Sequence, residues 1–538
     1  MTNHFRLCLL TTLLASGSVA NAGDRPNFLV IMVDDMGFSD PGCYGGEVDT
    51  PNLDKLAADG LRFTQFYNTA RCWPSRAALL TGRYPHEAGH AMMYGKAAPR
   101  AYRGTTPEQG KFVPELLKPA GYECYHVGKW HLQSRISPKP TKGKYASPQY
   151  NDSWPLGRGF QHSYCVKSQN NFFNPNQVFD EDRLVKRPGA NKEYYITDAF
   201  TNRTIEYLKN HSEQHKDKPF YLYLAHTAPH FPLHALPADI ERHKERYRKG
   251  WDKIRTERLA RQKRMNLLDC ELSPRDEEAV AWDSLSETDK DKWATRMAIH
   301  AAMVYRVDLG IGRIVEQLRT MGWLDNTLIL FLSDNGASAE YLVRGDGHDP
   351  KAPPGSGATY LCLEVGWSNA SNTPFRQHKM WTHEGGISTP LIAHWPHGME
   401  QRGDLTNQVG HIIDIAPTLM DLALVEQNQV DPPITGKSLA PILRGEQREP
   451  HEFLFWEHTG NKAIRQGDWK LVAEHGKPWQ LFNLGNDRSE LQDLAAEQPE
   501  RVKQMLANWQ SYARKTGVVD WDSLPQSKRS PGPDYRKK

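Results

Sequence analysis

Cys72-Trp73-Pro74-Ser75-Arg76 holds the most concentrated set of reactive residue types in the chain. Ala77 to Leu80 continue it as an apolar, helix-forming run, and Gly82 stands where helices stop. Pro74 suits a first helical position, which puts Cys72 just ahead of a helix N-terminus. Unpaired N–H groups and the helix dipole favour an anion there. Far away in sequence, Asp34 and Asp35 are adjacent carboxylates that repel unless a cation holds them. Asp334-Asn335 offers a third carboxylate and an amide oxygen. A set of oxygen donors suits a hard divalent cation, Ca²⁺ ahead of Mg²⁺, and lacks the sulfur and nitrogen of a zinc site. Arg76, Lys129 and Lys379, with His131 and His230, supply positive charge for an anionic substrate.

These residues need elements to bring them together. Residues 27–33, 122–127, 219–224 and 327–332 are apolar runs rich in β-branched and aromatic residues. Such continuous runs read as parallel strands buried on both faces. They end in Asp34-Asp35, in Gly128-Lys129-Trp130-His131, in Ala225-His226 leading to His230, and in Asp334-Asn335. Open α/β sheets place their sites beyond the carboxyl ends of the strands, so four such endings point to one crevice. Helices are expected over 51–59, 113–120, 198–209, 293–321 and 411–424, and little regular structure over 133–195. The charged stretch 240–266 reads as a solvated helical face. After residue 448 short strands are expected over 452–457, 462–465, 469–473 and 480–483, with helical segments over 490–495 and 499–514. The expected fold is α/β: a large mixed, mostly parallel sheet sandwiched by helices, with a smaller C-terminal α+β subdomain built on an antiparallel sheet.

Arg6, an apolar run over 7–15 and Ala20-Asn21-Ala22 form a cleavable secretory signal over residues 1–22. Its core is shorter than the ~20 residues that span a bilayer. The expected organisation is 1–22 signal peptide, 23–447 catalytic domain and 448–538 C-terminal subdomain, in a secreted or periplasmic protein with no membrane span. A net charge of +3 over 538 residues gives no argument for nucleic acid. Six cysteines remain beyond the signal, too few and too irregular for a disulfide scaffold.

Cys72-x-Pro74-Ser75-Arg76 followed by Leu79-Leu80-Thr81-Gly82 closely resembles the maturation signature of the type I sulfatases, within the alkaline phosphatase superfamily. Gly128-Lys129-Trp130-His131, Pro229-His230, Asp334-Asn335-Gly336 and Lys379 ahead of His383-Glu384-Gly385-Gly386 carry the resemblance onward. Cys124 departs from the family's usual Ser or Thr, inside a strand and away from the chemistry. Asn369 to Arg376 and Pro531 to Tyr535 look like secreted bacterial arylsulfatases. The resemblance implies that a maturation enzyme oxidises Cys72 to formylglycine (3-oxoalanine), whose hydrate attacks sulfur. It implies Asp34, Asp35, Asp334, Asn335 and the modified Cys72 as Ca²⁺ ligands. Arg76 would hold the hydrate, and Lys129 would bridge it and the sulfate. His230 and Lys379 would serve the departing oxygen, and His131 would act as the base that expels sulfate. The implied substrate is an aryl sulfate or a sulfated polysaccharide. A formylglycine-dependent phosphonate or phosphate ester hydrolase and an inactive carbohydrate-binding relative are the alternatives. His226, His383 and Glu384 receive no assigned role.

Overall fold

A computed structural model describes residues 25–95, 97–105, 110–133, 153–167, 171–186, 188–190, 193–341, 348–400 and 402–524. The expected signal peptide and the last fourteen residues lie outside the described residues. In chain order the strands are β1 (Asn27–Asp34), β2 (Leu61–Phe63), β3 (Phe66–Tyr67), β4 (Glu123–Lys129), β5 (His162–Val166), β6 (Val178–Asp180), β7 (Arg183–Leu184) and β8 (Phe220–Pro229). They continue with β9 (Thr327–Ser333), β10 (Leu391–His394), β11 (Asp404–Thr406), β12 (Gly410–His411), β13 (Leu454–His458), β14 (Asn461–Gln466), β15 (Trp469–Ala473) and β16 (Gln480–Asn483).

Ten of these make one sheet in the order β11-β2-β10-β9-β1-β8-β4-β5-β6-β7. The central run β9-β1-β8-β4-β5 is parallel throughout. On β1, Leu29, Ile31 and Val33 enter one apolar core while Phe28, Val30 and Met32 enter another. That two-sided burial is why the strand reads as an unbroken apolar run. Helices Pro51–Ala58, Ile196–Gln214 and Glu287–Thr320 pack on the first face, and Cys72–Thr81 with Ile415–Leu422 on the second. The strands β13 to β16 form a separate four-stranded antiparallel sheet, against which the helix Pro499–Thr516 packs.

Three local expectations change. Residues 133–195 are not only loops, because β5, β6 and β7 extend the main sheet to its edge. Residues 490–495 are not helical: Asp487 and Asp493 side chains accept the N–H groups of Leu491, Gln492 and Ala495, offering the backbone a turn instead. The stretch 240–266 is not wholly solvated, since Arg258 is fully buried between Asp40 (2.8 Å) and Glu47 (2.7 Å). Asp40 also takes His300 Nε2 at 2.9 Å and the Gly37 N–H at 3.0 Å, so this network anchors the loop that follows Asp35. Burial pushes the Asp40 carboxyl up, but His300 and Arg258 outweigh it and hold it at about 2. Cys43, Cys72, Cys124, Cys165, Cys270 and Cys362 are all free and buried. No helix of the described residues is long and apolar enough to cross a membrane.

Candidate active site

The four strands whose endings carry polar residues, β9, β1, β8 and β4, are consecutive neighbours in the sheet. Their order in sequence is scattered, yet their carboxyl ends open on one side because they are parallel. Just past β1 and β4 the chain turns sharply. Asp35 (φ 70°) and His131 (φ 59°) both occupy the left-handed region, a conformation that side-chain-bearing residues hold only under constraint. Gly128 permits the close approach of β4 to β8: a Cβ there would stand 1.9 Å from the Ala225 carbonyl oxygen. The helix Cys72–Thr81 begins at Cys72 itself, two residues ahead of Pro74, and Gly82 closes it with φ 66°. A proline in the first helical turn removes no hydrogen bond, so the earlier start carries no penalty.

At the crevice the charges interlock. Arg76 donates from Nε (3.1 Å) and Nη2 (2.7 Å) to Asp334 Oδ2, and from Nη1 to the Lys129 carbonyl (3.0 Å). The same Nη2 lies 3.5 Å from Asp34 Oδ2, which also receives Lys129 Nζ at 2.5 Å. Asn335 Nδ2 donates to Asp35 Oδ1 at 2.6 Å. Lys379 Nζ spans Asp35 Oδ1 (2.8 Å) and Glu340 Oε2 (3.1 Å), and His230 Nε2 lies 3.5 Å from Asp35 Oδ2. Asp34, Arg76, Lys129, Asp334 and Asn335 are completely buried.

Burial and charge together set the protonation states. Burial lifts Asp334 to about 7 and Asp35 to about 6, with added push from neighbouring carboxylates. Asp34 is lowered, because Lys129, Arg76 and Lys379 outweigh its burial. Burial raises the Cys72 thiol, with Lys129 and Lys379 pulling against it and Asp34 and Asp334 pushing with it. A thiolate nucleophile is therefore disfavoured here. Burial keeps both imidazoles far below their usual range, helped by Lys129 and Arg76 at His131 and by Lys379 and Lys129 at His230, so both are neutral. Lys379 remains charged, since Asp35 and Glu340 outweigh its burial.

Three oxygens stand out. Asp34 Oδ1, Asp334 Oδ1 and Asn335 Oδ1 are buried and have no hydrogen-bond partner among the described residues. Orphaned buried oxygens are costly unless something else meets them. Oxygens of Asp34 and Asp35 and a ring nitrogen of His230 also lie within 4.8 Å of one another. The carboxylate and amide oxygens fit a hard divalent cation, a preference to which the ring nitrogen adds nothing.

Every residue given a role from sequence lies in this cluster or borders it, Cys72 through its electrostatic partners and His131 beside Lys129, Arg76 and Asp34. His226 does not. Its ring packs near Phe200 in the first core, on the far side of the sheet from Cys72. Glu384 also serves elsewhere, binding Lys470 (2.9 Å), Arg488 (3.1 Å) and Tyr67 (2.9 Å) where the small sheet docks. His383 forms the N-cap of the short helix Glu384–Ile387 in the same area. Sequence reading missed Glu340, the second carboxylate on Lys379, six residues past Asp334. It also missed Arg71, whose guanidinium lies 4.6 Å from the Trp73 ring and 3.6 Å from Glu340. Both flank recognised motifs, the only signal available for them.

The sulfatase family model matches residues 26–425, and a second, described as N-sulphoglucosamine sulphohydrolase, C-terminal, matches 376–514. An uncharacterized sulfatase of Schizosaccharomyces pombe is 31% identical, over 92% of this chain and 94% of that protein. An arylsulfatase of Klebsiella aerogenes is 30% identical, over 78% of this chain and 91% of that protein. Among solved structures, Ps i-CgsB in complex with a k-i-k-neocarrahexaose aligns with TM-score 0.65 and 26% identity, covering 94% of this chain and 99% of that one. The chain belongs to the sulfatase family. It is an enzyme, a sulfuric ester hydrolase, and its large mixed sheet with a small antiparallel companion is the fold of its structural neighbours.

Proposed function

We propose that this sulfatase cleaves a sulfate monoester to an alcohol or phenol plus sulfate, with formylglycine made from Cys72 as its nucleophile precursor and Ca²⁺ as its cation. The observation that carries this reading is the trio of unpartnered oxygens on Asp34, Asp334 and Asn335, set beside Cys72 within a ring of cations. Asp34, Asp35, Asp334 and Asn335 would hold the ion, which when bound polarises a sulfate oxygen and lowers the pKa of a coordinated hydroxyl. An aldehyde hydrate supplies what a serine cannot, a second hydroxyl through which sulfate is expelled.

The chain's own groups divide the remaining work. Arg76 is tied at three points and has no freedom to move, so it fixes the geometry around residue 72. Lys129 stabilises charge that develops on the transferring sulfate. His131 is neutral, the state from which a base at sulfate expulsion must start, and an anionic sulfate beside it would raise its lowered proton affinity. Lys379 keeps its proton and faces the departing oxygen as a charged donor. His230 Nδ1 contacts the Phe231 carbonyl at 2.5 Å, which fixes the proton on Nδ1 and presents Nε2 to the site as an acceptor. His230 therefore orients groups rather than delivering a proton until the bound sulfate charges it.

An aryl sulfate and a sulfated carbohydrate fit this machinery equally; the similar arylsulfatase supports the first, and the structural neighbour solved with a k-i-k-neocarrahexaose supports the second. We also propose export through residues 1–22, and a division near residue 448 between catalytic domain and C-terminal subdomain. The decisive experiment joins mass analysis of the tryptic peptide Cys72–Arg76 with kcat/KM on 4-nitrophenyl sulfate and 4-nitrophenyl phosphate. An aldehyde-bearing peptide and a strong preference for sulfate are expected. An active preparation with an unmodified thiol throughout, or a preference for phosphate, would overturn the reading.

A further inference from the structure

The hairpin joining β13 to β14 reaches out of the small sheet to the catalytic helix. His458 and Thr459 at its tip are each 1% exposed. The His458 ring meets Trp73 edge-on, with centroids 5.9 Å apart. Trp73 meets His131 in the same way at 5.5 Å, so the residue after Cys72 lies between the proposed base and the hairpin. Asn461 Nδ2 latches the tip to the Met380 carbonyl at 3.0 Å, next to Lys379. On this indole and the two rings against it, Trp73 Nε1, His131 Nδ1 and His458 Nε2 are all buried and lack hydrogen-bond partners among the described residues, as does Oγ1 of Thr459, next in chain to His458.

The indole is 8% exposed and Arg71 lies over its ring, so what it offers a ligand is a narrow edge bordered by unsatisfied polar atoms, the chemistry that meets the hydroxyls of a polyhydroxylated ring. A bare aryl group would leave those atoms orphaned. We propose that His458, supplied by the C-terminal sheet, is a specificity-determining residue whose Nε2 hydrogen-bonds a hydroxyl of a carbohydrate sulfate ester seated beside Trp73. The inference rests on the sulfatase reading of the pocket and narrows its substrate class. Burial, with Arg71, His86 and Lys379 nearby, keeps the imidazole neutral, so Nε2 bonds without carrying charge. A site built to bond a hydroxyl discriminates strongly against an analogue that lacks it.

The test uses 4-nitrophenyl sulfate as reporter substrate and sulfated disaccharides of the chondroitin, heparan and carrageenan types as competitive inhibitors. His458→Phe keeps a ring against Trp73 but has no nitrogen. Its Ki for the best disaccharide should rise about tenfold while kcat/KM on 4-nitrophenyl sulfate stays within about twofold. His458→Gln, whose amide reaches the Nε2 position, should restore inhibition, and the shorter His458→Asn should not. That pair decides the matter if the Phe variant fails to fold. Equal Ki values in all variants, a parallel loss of aryl sulfate activity, or wild-type enzyme that no disaccharide inhibits would each overturn the role of His458. Wild-type enzyme that hydrolyses no sulfate ester would instead sink the proposed function, and this inference with it.

Discussion

Lowering the pH from 8 to 5 should weaken Ca²⁺ binding about a thousandfold. In the metal-free site Asp334 titrates at about 7 and Asp35 at about 6. Both lie above the usual carboxylate value because the ionised form is buried beside other carboxylates. A raised pKa means that protons compete with the cation, so affinity must climb with pH. At pH 5 Asp334 sits about two units below its pKa and Asp35 about one, leaving ionised fractions of about 1% and 10%. Their product is about one in a thousand, or about 4 kcal/mol at 1.36 kcal/mol per unit. Asp34, held low by Lys129 and Arg76, stays ionised across this range and adds nothing. Titration calorimetry of Ca²⁺ into metal-free enzyme, repeated in buffers of different ionisation enthalpy, reads both affinity and proton release. About two protons should leave per ion at pH 5 and nearly none at pH 8. In Asp334→Asn the pH dependence should shrink to about tenfold. An affinity that changes less than tenfold between the two pH values, with no protons released, would refute the assignment of these carboxylates to the ion.

Cys72→Ser should still bind Ca²⁺ through its four remaining ligands yet fail to turn over, which steady-state kinetics on 4-nitrophenyl sulfate would show; full turnover by the variant removes the need for an aldehyde. Lys470 lies fully buried between Glu384 (2.9 Å) and Glu490 (2.8 Å), so Lys470→Met leaves two carboxylates facing one another. A broken buried pair costs about 3–5 kcal/mol, which urea denaturation should register as a clear loss of stability. Gly128→Ala places a Cβ 1.9 Å from the Ala225 carbonyl at φ 115°. Soluble yield and melting temperature should both fall sharply, and an unchanged melting temperature would show that β4 and β8 can separate without harm.

The four site-bearing strands were legible because each is buried on both faces and leaves an unbroken apolar run ending in polar residues. The pattern places Asp34, Lys129, His230 and Asp334 at strand ends, but the sheet order β9-β1-β8-β4 is set by pairing between distant segments, which no local pattern encodes. Short edge strands such as Arg183–Leu184 carry too little pattern to be seen, and their pairing comes from the sheet they extend. Arg258 read as a surface charge because its two carboxylate partners, Asp40 and Glu47, lie about 210 residues away in sequence. Glu384 stood in a motif with no role that the sequence could assign, and its partners Lys470 and Arg488 make it a docking residue. His458 was invisible for the same reason: nothing local marks a hairpin tip as packing against Trp73, about 400 residues earlier.

Cys72 is only 2% exposed, on a helix closed over by the main sheet and by the hairpin of the small one. A modifying enzyme cannot reach a side chain so enclosed. The proposed conversion of this residue would therefore have to happen while the chain is still open, and the fold would set a clock on it. The crevice cannot close before β9 is made, some 250 residues after the signature. At roughly 5–20 residues per second, synthesis alone leaves about 12–50 s. Any mutation or temperature that speeds closure would then lower the active fraction without touching a single residue of the site, and purified enzyme would be a mixture whose specific activity records how the race between maturation and folding was run.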